Sequence, residues 1–128
     1  MKSILTLLAA LFCSATVFAG EFPDISIPEV KAAIEAKNAT IIDVNGGGSY
    51  KAGHVPTAVS FAAVKGDLAK ALPADKGALV IAYCGGPSCG AYAAAAKAAK
   101  ELGYTNVKHM SAGISGWKSA GEKTEAAN

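Results

Sequence analysis

The chain has 128 residues, 52% of them apolar, and a formal net charge of +2. That length suits one compact domain with its own core. All 12 basic residues are lysine, and no basic stripe interleaved with aromatics occurs, so the composition excludes the usual nucleic-acid binder.

Residues 1–19 read as a signal peptide. Met1-Lys2 is a short positive start, Ile4 to Phe12 an apolar run, and Val17-Phe18-Ala19 a cleavage site of the kind a signal peptidase reads. The run is short for a bilayer-spanning anchor. Bulky Phe12 before Cys13 argues against a lipoprotein site. Residues 20–128 are then expected as one exported domain, periplasmic in a bacterium, needing no membrane after cleavage.

Glu21 to Ser26 reads as a short edge strand. Pro28 and Glu29 mark the first turn of a helix capped by Ser26 or Ile27, with Val30, Ala33 and Ile34 on its apolar face and Asn38 at its end. Thr40 to Val44 is short and β-branched, as buried parallel strands are. Asn45 to Ser49 reads as a flexible loop, Ala58 to Phe61 as a strand, and Val64 to Leu72 as a helix stopped by Pro73. Ala78 to Tyr83 is a strand, and alanine-rich Ala91 to Leu102 is the clearest helix, closed by Gly103 and Tyr104. A last strand over Asn106 to Met110, a short helix over Ile114 to Ser119 and a frayed tail from about Gly121 complete the chain. Strands alternating with helices imply an α/β domain of three layers: a mainly parallel five-stranded sheet with helices on both faces. Ligands of such sheets bind beyond the carboxyl ends of the strands, where Asp43, Cys84 and either His109 or Met110 fall.

Cys84 ends the apolar run and begins the loop Gly85-Gly86-Pro87-Ser88-Cys89-Gly90. Successive backbone N–H groups and the following helix dipole favour negative charge there. A thiol so placed ionises more readily than a free one, and the thiolate is the nucleophile. Cys84 is therefore the candidate catalytic residue, and Gly85 to Gly90 the candidate anion-binding loop. The plainer alternative is a small buried side chain. Cys89 lies in the same loop, at a spacing that is neither a redox C-x-x-C nor a zinc motif, and no metal or organic cofactor is expected. Export favours a disulfide between the two, although a bridge over so short a loop constrains little chain. Cys89 either attacks a persulfide or sulfenate on Cys84 to form that disulfide, as a redox switch or protected resting state, or packs under the loop and stays inert; the residues leave both readings open.

Asp43 is expected to support the loop, chiefly by accepting backbone hydrogen bonds. Tyr50 and Trp117 are expected in packing roles, and Ser88 either in a plain turn or donating to an anion. Lys51 reads as a solvated lysine, and His109 has no visible partner.

Three stretches, in this order and spacing, resemble the rhodanese-like domains. They are Ile42-Asp43-Val44 followed by Ser49-Tyr50-Lys51-Ala52-Gly53-His54-Val55-Pro56-Thr57-Ala58; Val80 to Cys84; and Leu102-Gly103-Tyr104-Thr105-Asn106-Val107 followed by Ala112-Gly113-Ile114-Ser115-Gly116-Trp117. The resemblance implies the family's doubly wound fold, a structural role for His54, and sulfur transfer through Cys84. In that chemistry the thiolate takes the outer sulfur of a donor and a thiol or cyanide removes it from the persulfide. The chain departs from the pattern where many members carry charge: Cys89, Asn45 and Ser49 stand at positions often held by arginine, arginine and glutamate. Without arginine to grip a dianion, a persulfide or polysulfide suits the site as well as thiosulfate. A thiol protein is a suitable acceptor, and the domain is expected to be a monomer. The alternatives are a thiol-disulfide redox or sensor protein using Cys84 with Cys89, and a non-catalytic binding module. A phosphatase of this fold is disfavoured, since its longer loop ends in the missing arginine.

Overall fold

A computed structural model describes residues 22–127; the signal peptide expected over 1–19 lies outside them. The elements run α1 (Ile27–Ala36), β1 (Ala39–Asp43), α2 (Gly47–Ala52), β2 (Val59–Ser60), α3 (Phe61–Val64), a 3-10 turn (Lys65–Asp67), α4 (Leu68–Ala71), β3 (Leu79–Tyr83), α5 (Tyr92–Glu101), β4 (Val107–His109) and α6 (Gly113–Ser119). All strand pairings are parallel, in the order β2-β1-β3-β4. No helix of the described residues is long and apolar enough to cross a membrane.

The sheet is buried on both faces, and β3 shows why its sequence is apolar throughout. Val80 and Ala82, with Cys84 beyond them, pack among Leu68, Tyr92, Ala95, Ala96 and Ala99 on the α4/α5 face. Ile81 and Tyr83 pack among Val30, Val55, Met110, Ile114 and Trp117 on the α1/α6 face. Strand alternation thus sends Cys84 toward α5. The alanines of α5 let it lie close on the sheet, and Gly103, at φ +101°, ends it. There the amides of Gly103 and Tyr104 donate to the carbonyls of Lys100 and Ala99, a Schellman closure. At α1, Ser26 and Glu29 form a reciprocal capping box, but the left-handed residue closing the helix is Lys37 rather than Asn38.

Five further expectations differ from the structure. The sheet has four strands among the described residues, not five, because the first segment makes only a single bridge, Asp24 to His109. Pro23 has no N–H to continue the ladder, and Ser26 turns the chain into α1. The presumed loop over Asn45 to Ser49 instead enters α2. Tertiary contacts override the glycines there: Tyr50 Oη donates to the Ala58 carbonyl at 2.6 Å, and its ring stacks on His54 at 3.8 Å. The strand expected to reach Phe61 stops at Ser60, and the helix expected over Val64 to Leu72 is broken by the 3-10 turn containing Gly66. Finally, the tail is docked rather than frayed. His54 and Glu125 exchange backbone hydrogen bonds of 2.9 and 2.8 Å, and Trp117 Nε1 donates to the Lys123 carbonyl at 2.7 Å.

Candidate functional site

The chain leaves β1 toward β2 on one side of the sheet and β3 toward β4 on the other. The carboxyl ends of β1 and β3 therefore flank the crevice where strand order reverses, the usual ligand position in a doubly wound sheet. Asp43 ends one of these strands and Cys84 follows the other.

The loop after Cys84 rests on the start of α6. Ile114 N–H donates to the Cys84 carbonyl and Ser115 N–H to the Gly85 carbonyl, both at 2.9 Å. Gly113, at φ +64°, makes this approach possible: a Cβ there would lie 2.5 Å from the Gly85 carbonyl carbon and 2.6 Å from Gly86 N. Inside the loop, Cys89 N–H closes a turn onto the Gly86 carbonyl at 3.1 Å. Pro87 has no N–H, so the expected cradle narrows. Among the described residues, the amides of Gly85, Gly86, Ser88 and Gly90 donate to no other backbone group. Pro87, Ser88 and Gly90 are exposed, while Gly85, Gly86 and Cys89 are half-buried.

Cys84 and Cys89 are joined by a disulfide with their Cα atoms 6.3 Å apart. Cys84 is 1% exposed. Cys84 is thus covered in this oxidised form, and a reagent meets Cys89 first.

Asp43, 1% exposed, accepts from Asn45 N–H at 2.8 Å and from Tyr83 Oη at 2.5 Å. The Tyr83 oxygen also takes the Val55 N–H at 3.0 Å. Burial first, then the hydrogen bond to Asp43, push the Tyr83 phenol far above its usual range, so it remains a donor. Asp43 thus accepts a backbone amide, and it pairs in register with Tyr83, the residue before Cys84. Asn45 faces Gly85 from across the crevice: a Cβ on Gly85 would meet Asn45 Oδ1 at 3.8 Å, and the buried Asn45 Nδ2 has no hydrogen-bond partner among the described residues.

His54 Nδ1 lies 2.8 Å from the Tyr50 carbonyl and must donate to it, and His54 Nε2 faces Glu125 at 3.9 Å. These contacts suit a structural histidine. His109 is 7% exposed and stacks on Tyr92, ring centroids 3.4 Å apart. Burial holds its pKa below the ordinary value, opposed by the Asp24 carboxylate. Lys51 is exposed and Trp117 is buried beneath the tail.

Sequence reasoning missed two supports of the site. The Tyr83–Asp43 bond joins residues 40 apart, and no local signal marks it. Gly113 stood inside the recognised Ala-Gly-Ile-Ser-Gly-Trp stretch, but only the close approach explains why glycine is required.

Comparison with known proteins gives a consistent result. Residues 26–120 match the family model described as Rhodanese-like domain. No curated protein matches the sequence. Among solved structures, the BH2092 protein from Bacillus halodurans is 26% identical, with a TM-score of 0.65 over 81% of this chain and 77% of that one. Thiosulfate sulfurtransferase from Pseudomonas aeruginosa is 24% identical, with a TM-score of 0.68 over 84% of this chain but only 21% of that one. The polysulfide-sulfur transferase homodimer from Wolinella succinogenes is 18% identical, with a TM-score of 0.65 over 84% and 80%. The last two likenesses show the fold.

Proposed function

Since the chain belongs to the rhodanese-like domain family, we propose that it is an exported sulfurtransferase carrying sulfane sulfur as a persulfide on Cys84. The observation that carries this reading is the position of Cys84 at the strand-order reversal, followed by a loop whose Gly85, Gly86, Ser88 and Gly90 amides donate to no backbone carbonyl among the described residues. Unpaired donors beside a thiol favour its anionic form and that of a persulfide.

The reduced form is the one that reacts. The Cys84 thiolate attacks the outer sulfur of thiosulfate, a polysulfide or a small persulfide. The S–S bond of the donor breaks, and sulfite, a shorter polysulfide or a thiolate leaves with the electron pair. A thiol, including one on a partner protein, or cyanide then attacks the outer sulfur and restores Cys84. Amides rather than arginine hold the donor, which favours small or singly charged donors over a dianion. The site needs no cofactor, nucleic acid or membrane, and works as a monomer in the periplasm.

Intact mass tests the reading. Reduced protein given thiosulfate or polysulfide should gain one sulfur atom at early times, and Cys84→Ala should abolish the gain while Cys89→Ala retains it. No gain in any of the three leaves a non-catalytic module and refutes the proposal. The disulfide favours a second reading, a thiol-disulfide redox or sensor protein using both cysteines. Its mark is loss of two hydrogens on mild oxidation with no sulfur uptake.

A further inference from the structure

We propose that the loop carries out a second reaction, the reduction of sulfane sulfur to hydrogen sulfide, with Cys89 as the resolving thiol and the Cys84–Cys89 disulfide as the protein's product state. The proposal rests on the sulfur-carrying role of Cys84 given above and names what removes that sulfur.

Three observations carry it. The two sulfurs reach bonding contact within the folded loop, so a Cys89 thiolate reaches the Sγ of Cys84 while the scaffold stays folded. The loop's turn is fixed by the Cys89 N–H to Gly86 carbonyl bond, which keeps Cys89 folded back toward Cys84. The burial is unequal: Cys84 is almost fully covered and Cys89 is half-buried. In this disulfide form a reagent meets Cys89 before Cys84, so an external reductant enters at Cys89.

In the first step the Cys89 thiolate attacks Sγ of the Cys84 persulfide. The Sγ84–Sγ89 bond forms, the bond from Sγ84 to the outer sulfur breaks, and hydrosulfide leaves with the electron pair. The outer sulfur is reduced to sulfide, and the two cysteines are oxidised to the disulfide. In the second step an external dithiol supplies the two electrons. Its thiolate attacks Sγ of Cys89, the more exposed residue of the pair, and Cys84 leaves as a thiolate beside the loop amides, which stabilise a leaving group of that charge. The second thiol of the reductant then releases Cys89. The sum is donor sulfur plus dithiol giving hydrogen sulfide plus the reductant's disulfide.

The test uses the reduced mature protein, freed of small thiols under anoxia and given inorganic polysulfide. Wild type is expected to pass through the sulfur adduct to a form two hydrogens lighter than the reduced protein, releasing hydrogen sulfide without added thiol. Cys89→Ser should hold the adduct and release sulfide at least about tenfold more slowly, since a tethered thiol acts at a high effective concentration. A wild-type adduct that persists beside a free Cys89 thiol, or equal release from Cys89→Ser, overturns the proposal and leaves the sulfur-carrying reading intact. Absence of an adduct on Cys89→Ser overturns both. Limiting glutathione on the oxidised protein should give a mixed disulfide that peptide mapping places on Cys89; glutathione on Cys84 overturns the assigned route of reduction.

Discussion

Gly113→Ala should dislodge the loop from its support. Two effects add. Residue 113 sits at φ +64°, where a left-handed backbone costs alanine about 1–2 kcal/mol. The new Cβ would also lie 2.5 Å from the Gly85 carbonyl carbon and 2.6 Å from its oxygen, both backbone atoms that cannot swing aside. Forcing an extra methyl into such packing costs about 1–3 kcal/mol. The total, about 2–5 kcal/mol, should lower the thermal midpoint by at least about 8 °C in a domain of this size. Relieving the overlap also moves the loop by nearly 1 Å, and a misplacement of that order slows a positioned reaction about a hundredfold. Persulfide formation on Cys84, followed by mass spectrometry, should fall accordingly. Gly121→Ala is the control: it has φ +79° but nothing within 4 Å of its Cβ, so only the backbone term applies. If Gly113→Ala proves no less stable than Gly121→Ala and loads sulfur at the wild-type rate, the loop does not depend on this contact and the reasoning fails.

Three further outcomes are expected. Tyr83→Phe leaves the Val55 amide and the Asp43 carboxylate each short of a buried partner, and urea denaturation should show a loss of about 2–5 kcal/mol. A loss below about 0.5 kcal/mol would mean that water replaces the phenol. The His109 pKa is depressed by burial from 6.5, so as pH falls the unfolded chain binds a proton before the folded one, and stability declines below that ordinary value. His109→Phe keeps the stack on Tyr92 and should flatten the stability profile between about pH 7.5 and 5.5 relative to wild type; parallel profiles would contradict the assignment. Ending the chain at Gly121 removes the Trp117–Lys123, His54–Glu125 and Lys51–Ala127 hydrogen bonds. It should cost about 1–3 kcal/mol and shift the emission of the single tryptophan to the red, whereas an unchanged spectrum would show that the tail does not cover it.

The layers of the fold were legible because their signals are local. β3 and α5 have the right lengths and apolar content, and Gly103-Tyr104 marks a helix end that the backbone hydrogen bonds bear out. Cys84 could be placed at a strand end for the same reason. What escaped the sequence depends on residues far apart. The glycines of α2 predict a loop, and only Tyr50 bonding Ala58 and stacking on His54 holds them helical. The polar tail has no core-forming pattern, yet its backbone finds partners in His54 and Lys51. The cysteine spacing left pairing open, because it fixes neither the loop's turn nor the direction in which Cys89 faces.

Both margins of the sheet are blunt. β2 is two residues long, and beside β4 lies a segment that bridges once at Asp24 and, after Pro23, bends away into α1. A neighbouring copy offering a strand finds almost no free ladder to extend. Concentrated folded protein should therefore resist growth of intermolecular sheet from its edges. Aggregation, where it occurs, should begin from unfolded chain, with an onset that tracks the melting transition rather than protein crowding.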